Sequence, residues 1–232
     1  MMRSALIVAH GQPSEPGPPE AEMAALAARV AGLLPGWQVG AATLAGRRTL
    51  EAEVRRLGAP TVFPFFMADG WFIRTMLPKR LAEAGAEGMR ILTPFGLLAE
   101  VEALAIRLAR EGAAERGWAE RETVLILAAH GSGASRKPAE AAGAIRDAIV
   151  AAVSFREVRL GFIEEAPFLS EVLRDAGERA VLLPLFVARW GHVEGDIPEA
   201  VAEAGFRGVV LDPIGTDAAV PAIIAGAIRA SH

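Results

Sequence analysis

Four histidines occur in the 232 residues, and two of them, His130 and His192, stand where they could share an ion. His130 closes the apolar run Val124-Leu-Ile-Leu-Ala-Ala129 and precedes Gly131-Ser132-Gly133. His192 lies in Gly191-His-Val-Glu-Gly-Asp196-Ile-Pro198, just after the apolar run 181–187, and Glu164-Glu165 follow the run 158–163. Two imidazoles with one or two carboxylates suit a divalent first-row metal such as Co²⁺, Fe²⁺ or Ni²⁺. Coordination positions stay open, because no further strong ligand is in view. The chain has no cysteine, which excludes disulfides, thiolate ligation, iron–sulfur clusters and a Cys nucleophile.

Each candidate has an ordinary alternative. A histidine after a strand is often a hydrogen-bonded loop residue, and this reading applies most strongly to His10, which stands alone in its half. Glu165 could be a solvated acid at a helix N-terminus, favoured there by the helix dipole. Asp196 could be the N-cap of the helix that follows it. His232 is the last residue of the sequence and is expected to be disordered.

The elements that must position these residues are legible from periodicity. Compact apolar runs alternate with amphipathic stretches, the pattern of a parallel sheet covered by helices on both faces. Strands are expected over 5–9, 39–43, 61–66 and 90–92, then 123–129, 158–163, 180–187 and 209–211. Helices are expected over 20–34, 49–57, 76–84, 97–111, 139–153, 167–176, 197–204 and 218–230. In an open α/β sheet the loops after neighbouring strands converge beyond their carboxyl ends, so His130, Glu164 or Glu165, and His192 with Asp196 should face one crevice.

This order occurs twice. The segment 63–78 lines up with 183–198, and His10-Gly11 with His130-Gly131, at one offset of 120 residues. Pro94-Phe-Gly96 matches Pro213-Ile-Gly215 after a slip of one residue. Tandem duplication of an α/β unit is the economical explanation. The expected fold is therefore α/β, two tandem α/β/α units each with a four-stranded parallel sheet, divided near residue 115 into 1–115 and 116–232. The copies are chemically unequal. Phe72, Met76 and Ala45 stand where the second copy has His192, Asp196 and Glu164, so the first is expected to be degenerate and the second to carry the single site.

Composition narrows the function further. No apolar stretch is long enough to cross a bilayer, and the N-terminus is too short and too strand-like for a secretory leader, so a cytoplasmic protein is expected. A net charge of −4 argues against general nucleic-acid binding, which needs a basic face. Phosphate-loop and dinucleotide glycine signatures are absent.

The strand ending Ala129-His130-Gly131-Ser132, paired with Gly191-His192-x-x-x-Asp196-Ile197-Pro198, resembles the class II tetrapyrrole chelatases, specifically sirohydrochlorin chelatases of the CbiX type. The likeness covers almost the whole chain, including the duplication. It implies metal insertion into sirohydrochlorin on the way to cobalamin or sirohaem, with cobalt favoured, at two histidines in a cleft between two α/β units. By the same resemblance His130 and His192 would bind the metal and accept protons. Glu164 would be the assisting acid, although the motif does not separate it from Glu165. No permanently bound cofactor is implied; the divalent metal is a substrate.

Insertion removes two pyrrole protons and strips water from the metal, which calls for a base near neutrality and weak, incomplete coordination. A flat ring carrying many carboxylates calls for apolar walls and a basic or N–H-donating rim. Trp190, Phe186, Trp71 and Phe72 are wall candidates, although large residues in such loops also complete cores. Ser132, Ser135, Arg136 and Lys137, with Arg74 and Arg189, are rim candidates. His10, Phe72, Trp190, Ser132, Asp196 and Arg136 are thus expected to touch the substrate, in a monomer or homodimer that needs neither membrane nor nucleic acid. A noncatalytic metal or tetrapyrrole carrier from the same fold is the competing reading. A hydrolase using Ser132, His192 and Asp196 is a third, and it lacks the Gly-x-Ser-x-Gly elbow.

Overall fold

The run 124–129 is wholly buried, as a central strand covered on both faces must be. In the computed structural model, which describes residues 3–232, it is β4 of seven strands. These are β1 (Arg3–Ala9), β2 (Trp37–Thr43), β3 (Thr61–Pro64), β4 (Val124–Ala129), β5 (Glu157–Phe162), β6 (Ala180–Pro184) and β7 (Val209–Val210). They form two parallel sheets, ordered β2-β1-β3 and β5-β4-β6-β7. The helices are α1 (Gly17–Gly32), α2 (Arg47–Leu57), α3 (Leu77–Glu83), α4 (Ala99–Ala114), α5 (Lys137–Ala152), α6 (Leu169–Leu173), α7 (Gly191–Glu194), α8 (Asp196–Ala204) and α9 (Val220–Ala230).

In the second sheet β4 pairs with β5 from Val124↔Glu157 to Ala129↔Phe162, and with β6 from Val124↔Ala180 to Ala128↔Pro184. Successive strands thus leave β4 on opposite sides, which opens a crevice at its carboxyl end. One face packs Val124, Ile126, Ala128 and Leu182 against Leu169, Leu173, Ile197 and Ala200 of α6 and α8. The first sheet repeats the plan, with Leu6, Val8, Ala42 and Val62 against Leu50, Val54, Leu77 and Leu81 of α2 and α3.

Several expected elements are shorter than their apolar patterns. Both β3 and β6 stop at a proline, Pro64 and Pro184, and one further bond to the central strand follows each, from the Phe65 N–H to the Val8 carbonyl and from the Leu185 N–H to the Ala128 carbonyl. The fourth strand of the first sheet is reduced to a single bridge, Val62↔Ile91, in a segment that follows the left-handed turn at Gly88 (φ 75°). The expectation of four strands per sheet therefore holds in the second sheet alone. The stretch 167–176 gives only the five residues of α6, cut short where Asp175 turns to φ 56°. The stretch 76–84 begins as a wide π-helical turn, Phe72–Met76, before α3.

The compact units do not divide near residue 115. One comprises the residues up to Gly96 together with Ala218–His232, the other Leu97–Asp217. The last helix of each repeat therefore belongs to the unit built from the other repeat. Helix α9 buries Val220, Ile224 and Ile228 beside α1 and β3, while α4 buries Val101, Leu104, Ala105 and Ala109 beside β6 and α5. Gly112 lets α4 approach closely, since a Cβ there would lie 2.9 Å from Leu211 and 3.1 Å from Val181. The repeat hides this exchange because α4 and α9 occupy corresponding positions with similar apolar stripes. His232 is ordered against the first unit, its ring edge-on to Trp37 at 4.7 Å and its Nε2 3.5 Å from Thr61 Oγ1. Among the described residues no helix is long and apolar enough to cross a membrane.

Candidate functional site

Beyond β4 the backbone is fixed before any side chain acts. The carbonyl of His130 accepts N–H bonds from Ile163 (3.2 Å) and Glu164 (2.9 Å). Gly131 follows in the left-handed region, φ 74°, where a Cβ would meet Glu165 Cγ and Phe162 Cβ at 2.9 Å, so glycine is required by both conformation and space. This sharp turn brings the Gly131 carbonyl to 2.9 Å from His130 Nδ1.

His192 comes from α7, beyond β6, with the Phe186 ring 6.3 Å from its own. That loop is braced by the Pro213-Ile-Gly215 motif: Gly215 donates its N–H to the Phe186 carbonyl at 2.9 Å and lies too close to Val187 to carry a side chain. The two imidazoles meet edge to face, centroids 4.4 Å apart at 86°, with Nε2 to Nε2 at 3.0 Å. His192 Nδ1 lies 2.7 Å from Asp196 Oδ2.

These contacts assign the protons. A carbonyl and a carboxylate only accept, so each Nδ1 carries a hydrogen, and in the neutral rings each Nε2 is left with a lone pair. Two lone pairs facing each other at 3.0 Å cannot hydrogen-bond; a cation between them relieves the arrangement. His192 and Asp196 are each a little over two-fifths exposed and His130 is exposed, so the pair is open to solvent. Among the described residues no group of three or more His, Cys, Asp or Glu is placed to hold a metal ion.

The sequence candidates thus separate. His130, His192 and Asp196 come together. Glu165 is bound to the loop, its Oε1 accepting the Ser132 N–H at 2.8 Å, whereas the exposed Glu164 carboxylate makes no such bond. Arg136 is almost fully exposed, with Glu140 at 3.9 Å, and Trp190 is half-buried. His10 and Phe72 meet each other within the first unit, centroids 4.4 Å apart at 81°, beside an exposed Trp71. The hydrolase reading fails on this geometry, because His192 Nε2 faces His130 rather than Ser132.

The sequence reading missed Glu20. Its Oε1 accepts the Thr43 N–H at 2.9 Å and the Thr43 hydroxyl, in space left by Gly46. Gly46 occupies the repeat position of Glu165, and the carboxylate from α1 that fills the space there bonds Thr43 at the end of β2, whereas Glu165 bonds Ser132 in the loop after β4. The signal was the glycine facing Glu165 in the repeat alignment.

A family model described as CbiX matches residues 124–231. Among solved structures, one described as CbiX, the terminal enzyme for biosynthesis of siroheme in denitrifying bacteria, is 46% identical over 99% of this chain and 100% of that one, with a TM-score of 0.92. SirB from Bacillus subtilis with Fe³⁺ is 16% identical, covering 99% and 95%, with a TM-score of 0.76. The sirohydrochlorin chelatase SirB from Bacillus subtilis subspecies spizizenii in complex with cobalt is 16% identical, covering 99% and 94%, with a TM-score of 0.69. The two SirB structures share the fold. Among curated proteins nothing matches the chain.

Proposed function

Because this chain belongs to the CbiX family, we propose that it is a sirohydrochlorin chelatase, inserting a divalent metal into the macrocycle at His130 and His192. The observation that carries this reading is the pair of bare Nε2 atoms 3.0 Å apart. Nitrogens about 2.1 Å from an ion and 3.0 Å from each other would subtend about 90° there, leaving the remaining positions for water and ring nitrogens. An ion held by so few protein donors can be handed on.

Insertion exchanges two pyrrole protons for one M²⁺, so the ring must lose both protons as the metal enters. Once the ion leaves them, the two Nε2 lone pairs are the nearest acceptors, and imidazole is suited to that task near neutral pH. The exposed Glu164, whose N–H is bonded to the His130 carbonyl, can relay a proton to water. Arg136, with the half-buried Trp190 and Ser132, suits the carboxylates and face of a flat ring. In the first unit Trp71 and Phe72, 54% and 38% exposed, offer an aromatic face of the same chemistry, with His10 against Phe72.

We assign ferrous iron as the metal in preference to the cobalt suggested by the motif alone. The relative with 46% identity is described as a siroheme enzyme, and siroheme is the iron complex of sirohydrochlorin. Anaerobic incubation of the protein with sirohydrochlorin and Fe²⁺ or Co²⁺, followed by absorption, is expected to show insertion above the uncatalysed rate, faster with iron. His130→Ala is expected to lower that rate by about 10²-fold or more. Metal binding without any acceleration would identify a carrier and refute the enzyme.

A further inference from the structure

We infer that Asp196 is a positioning residue, whose carboxylate holds His192 in the tautomer that keeps its Nε2 bare and turned toward His130. The role in metal handling rests on the function proposed above; the hydrogen bond itself does not.

Three observations carry it. The first is contact: His192 Nδ1 and Asp196 Oδ2 are 2.7 Å apart, a distance typical of a charge-assisted hydrogen bond. The second removes the ordinary explanation for an acid at this place. Asp196 opens α8, yet that helix has Gly195 as its N-cap residue and no side-chain cap hydrogen bond. Its carboxylate therefore bonds the imidazole and caps no backbone N–H of the helix. The backbone is arranged for this, because Gly195 at φ −112°, ψ −75° separates α7 from α8 and Asp196 faces back to His192 four residues earlier.

The third is the contrast with the first copy. There Phe72 replaces the imidazole and Met76 replaces the carboxylate, and the backbone runs on through a continuous π turn into α3. Imidazole and acid are present together or absent together within the one chain.

The two histidines differ in how they are held. His130 Nδ1 is bonded to the Gly131 carbonyl, which no side-chain substitution removes. His192 stands on a helix of four residues and is 43% exposed, so its ring has little packing to fix it. Without an acceptor at Nδ1 the proton can move to Nε2, which would then donate to His130 Nε2 and close the seat that the ion needs. Partners of this kind fix the tautomer and orientation of ligating histidines, and their loss typically costs about 10–100-fold in metal affinity.

The decisive variant is Asp196→Asn, nearly the same shape but able to donate to Nδ1. In ¹⁵N spectra of the metal-free full-length protein with labelled histidine, the wild-type His192 ring is expected to be protonated at Nδ1 and the variant's at Nε2. Titration with Co²⁺ alone is expected to show affinity about 10–100-fold lower in D196N, with a smaller loss in Asp196→Ala, whose Nδ1 faces only water. Asp196→Glu, which restores a carboxylate, should recover part of the loss.

A merely structural Asp196 would leave the tautomer unchanged. Should D196N keep its proton on Nδ1, or should D196N and D196A both bind Co²⁺ within twofold of wild type, the inference is overturned. If D196N fails to fold, D196A and D196E decide the matter by affinity. A wild type that inserts no metal into sirohydrochlorin while D196N still shows the tautomer and affinity changes would refute the proposed function and leave the positioning role standing.

Discussion

His10 and His130 stand in the same backbone setting. Each follows the central strand of its sheet, and each has Nδ1 against the carbonyl of the next glycine, at 2.8 and 2.9 Å. Each has an aromatic ring edge-on with centroids at 4.4 Å. Even the ring below is matched, Phe66 at 6.4 Å from Phe72 and Phe186 at 6.3 Å from His192. The scaffold thus places a planar ring against the histidine in both copies, and whether that place can do chemistry depends on the ring's atoms. In the first copy the neighbour is all carbon and the arrangement packs. In the second it brings a lone pair to a lone pair, which packing alone would not favour.

The most severe way to break this comparison is to make the copies alike. His192→Phe should reproduce the first-copy arrangement with the fold intact and lower metal insertion by about 10²–10⁴-fold; near-normal insertion in a stably folded variant would show that the histidine pair is not the working centre. The converse double change, Phe72→His with Met76→Asp, sharpens it. Calorimetric titration with Co²⁺ is expected to show a second, weaker site per chain, and no increase in stoichiometry would mean that the two backbones differ more than their matched ring distances suggest.

A smaller effect tests which sheet each terminal helix serves. Ile224 on α9 is fully buried, so Ile224→Ala should cost about 2–5 kcal/mol. Hydrogen exchange should then show protection lost in β1–β3 and kept in β4–β6. The reverse pattern would contradict the helix exchange.

The smallest effect concerns the edge strands. Over Gly40 of β2 lie Glu53 and Arg56 from α2, whereas β5 has Arg159 at the corresponding place, paired with Glu157 at 2.8 Å. The hydrogen bond from Arg159 holds the Glu157 carboxyl below its usual range, against a smaller opposing effect of burial and with added attraction from Arg159 and Arg156. A lowered carboxyl pKa stabilises the fold above the ordinary glutamate value and loses that contribution as pH falls through the folded value. Glu157→Gln should therefore cost no more than about 0.5 kcal/mol at pH 7, and thermal melts of the two proteins should converge in acid. A difference that persisted there would have to come from packing.

What the sequence disclosed and what it withheld follow from these same residues. The duplication and the alternation of buried runs were legible because a parallel sheet covered on both faces leaves a strong pattern, and His130 and His192 stood out because both follow strands of one unit, while the first copy repeats only the former, as His10, and has Phe72 at the place of the latter. Asp196 was expected in the same crevice, but its task was not legible, since an acid before a helix reads equally as a cap, and only the 2.7 Å contact decides. Glu164 and Glu165 are adjacent and chemically identical; the turn at Gly131 separates them. The helix exchange was hidden by the symmetry of the repeat, because a stripe that fits one sheet fits its twin.

That exchange has a consequence for biosynthesis. The second unit is continuous in sequence, Leu97–Asp217, whereas the first needs residues that are made after it. At roughly 5–20 residues per second, translation takes about 7–27 s to pass from Gly96 to Ala230, and for that time the nascent first sheet waits without α9. The lobe that leaves the ribosome first is the last to be finished.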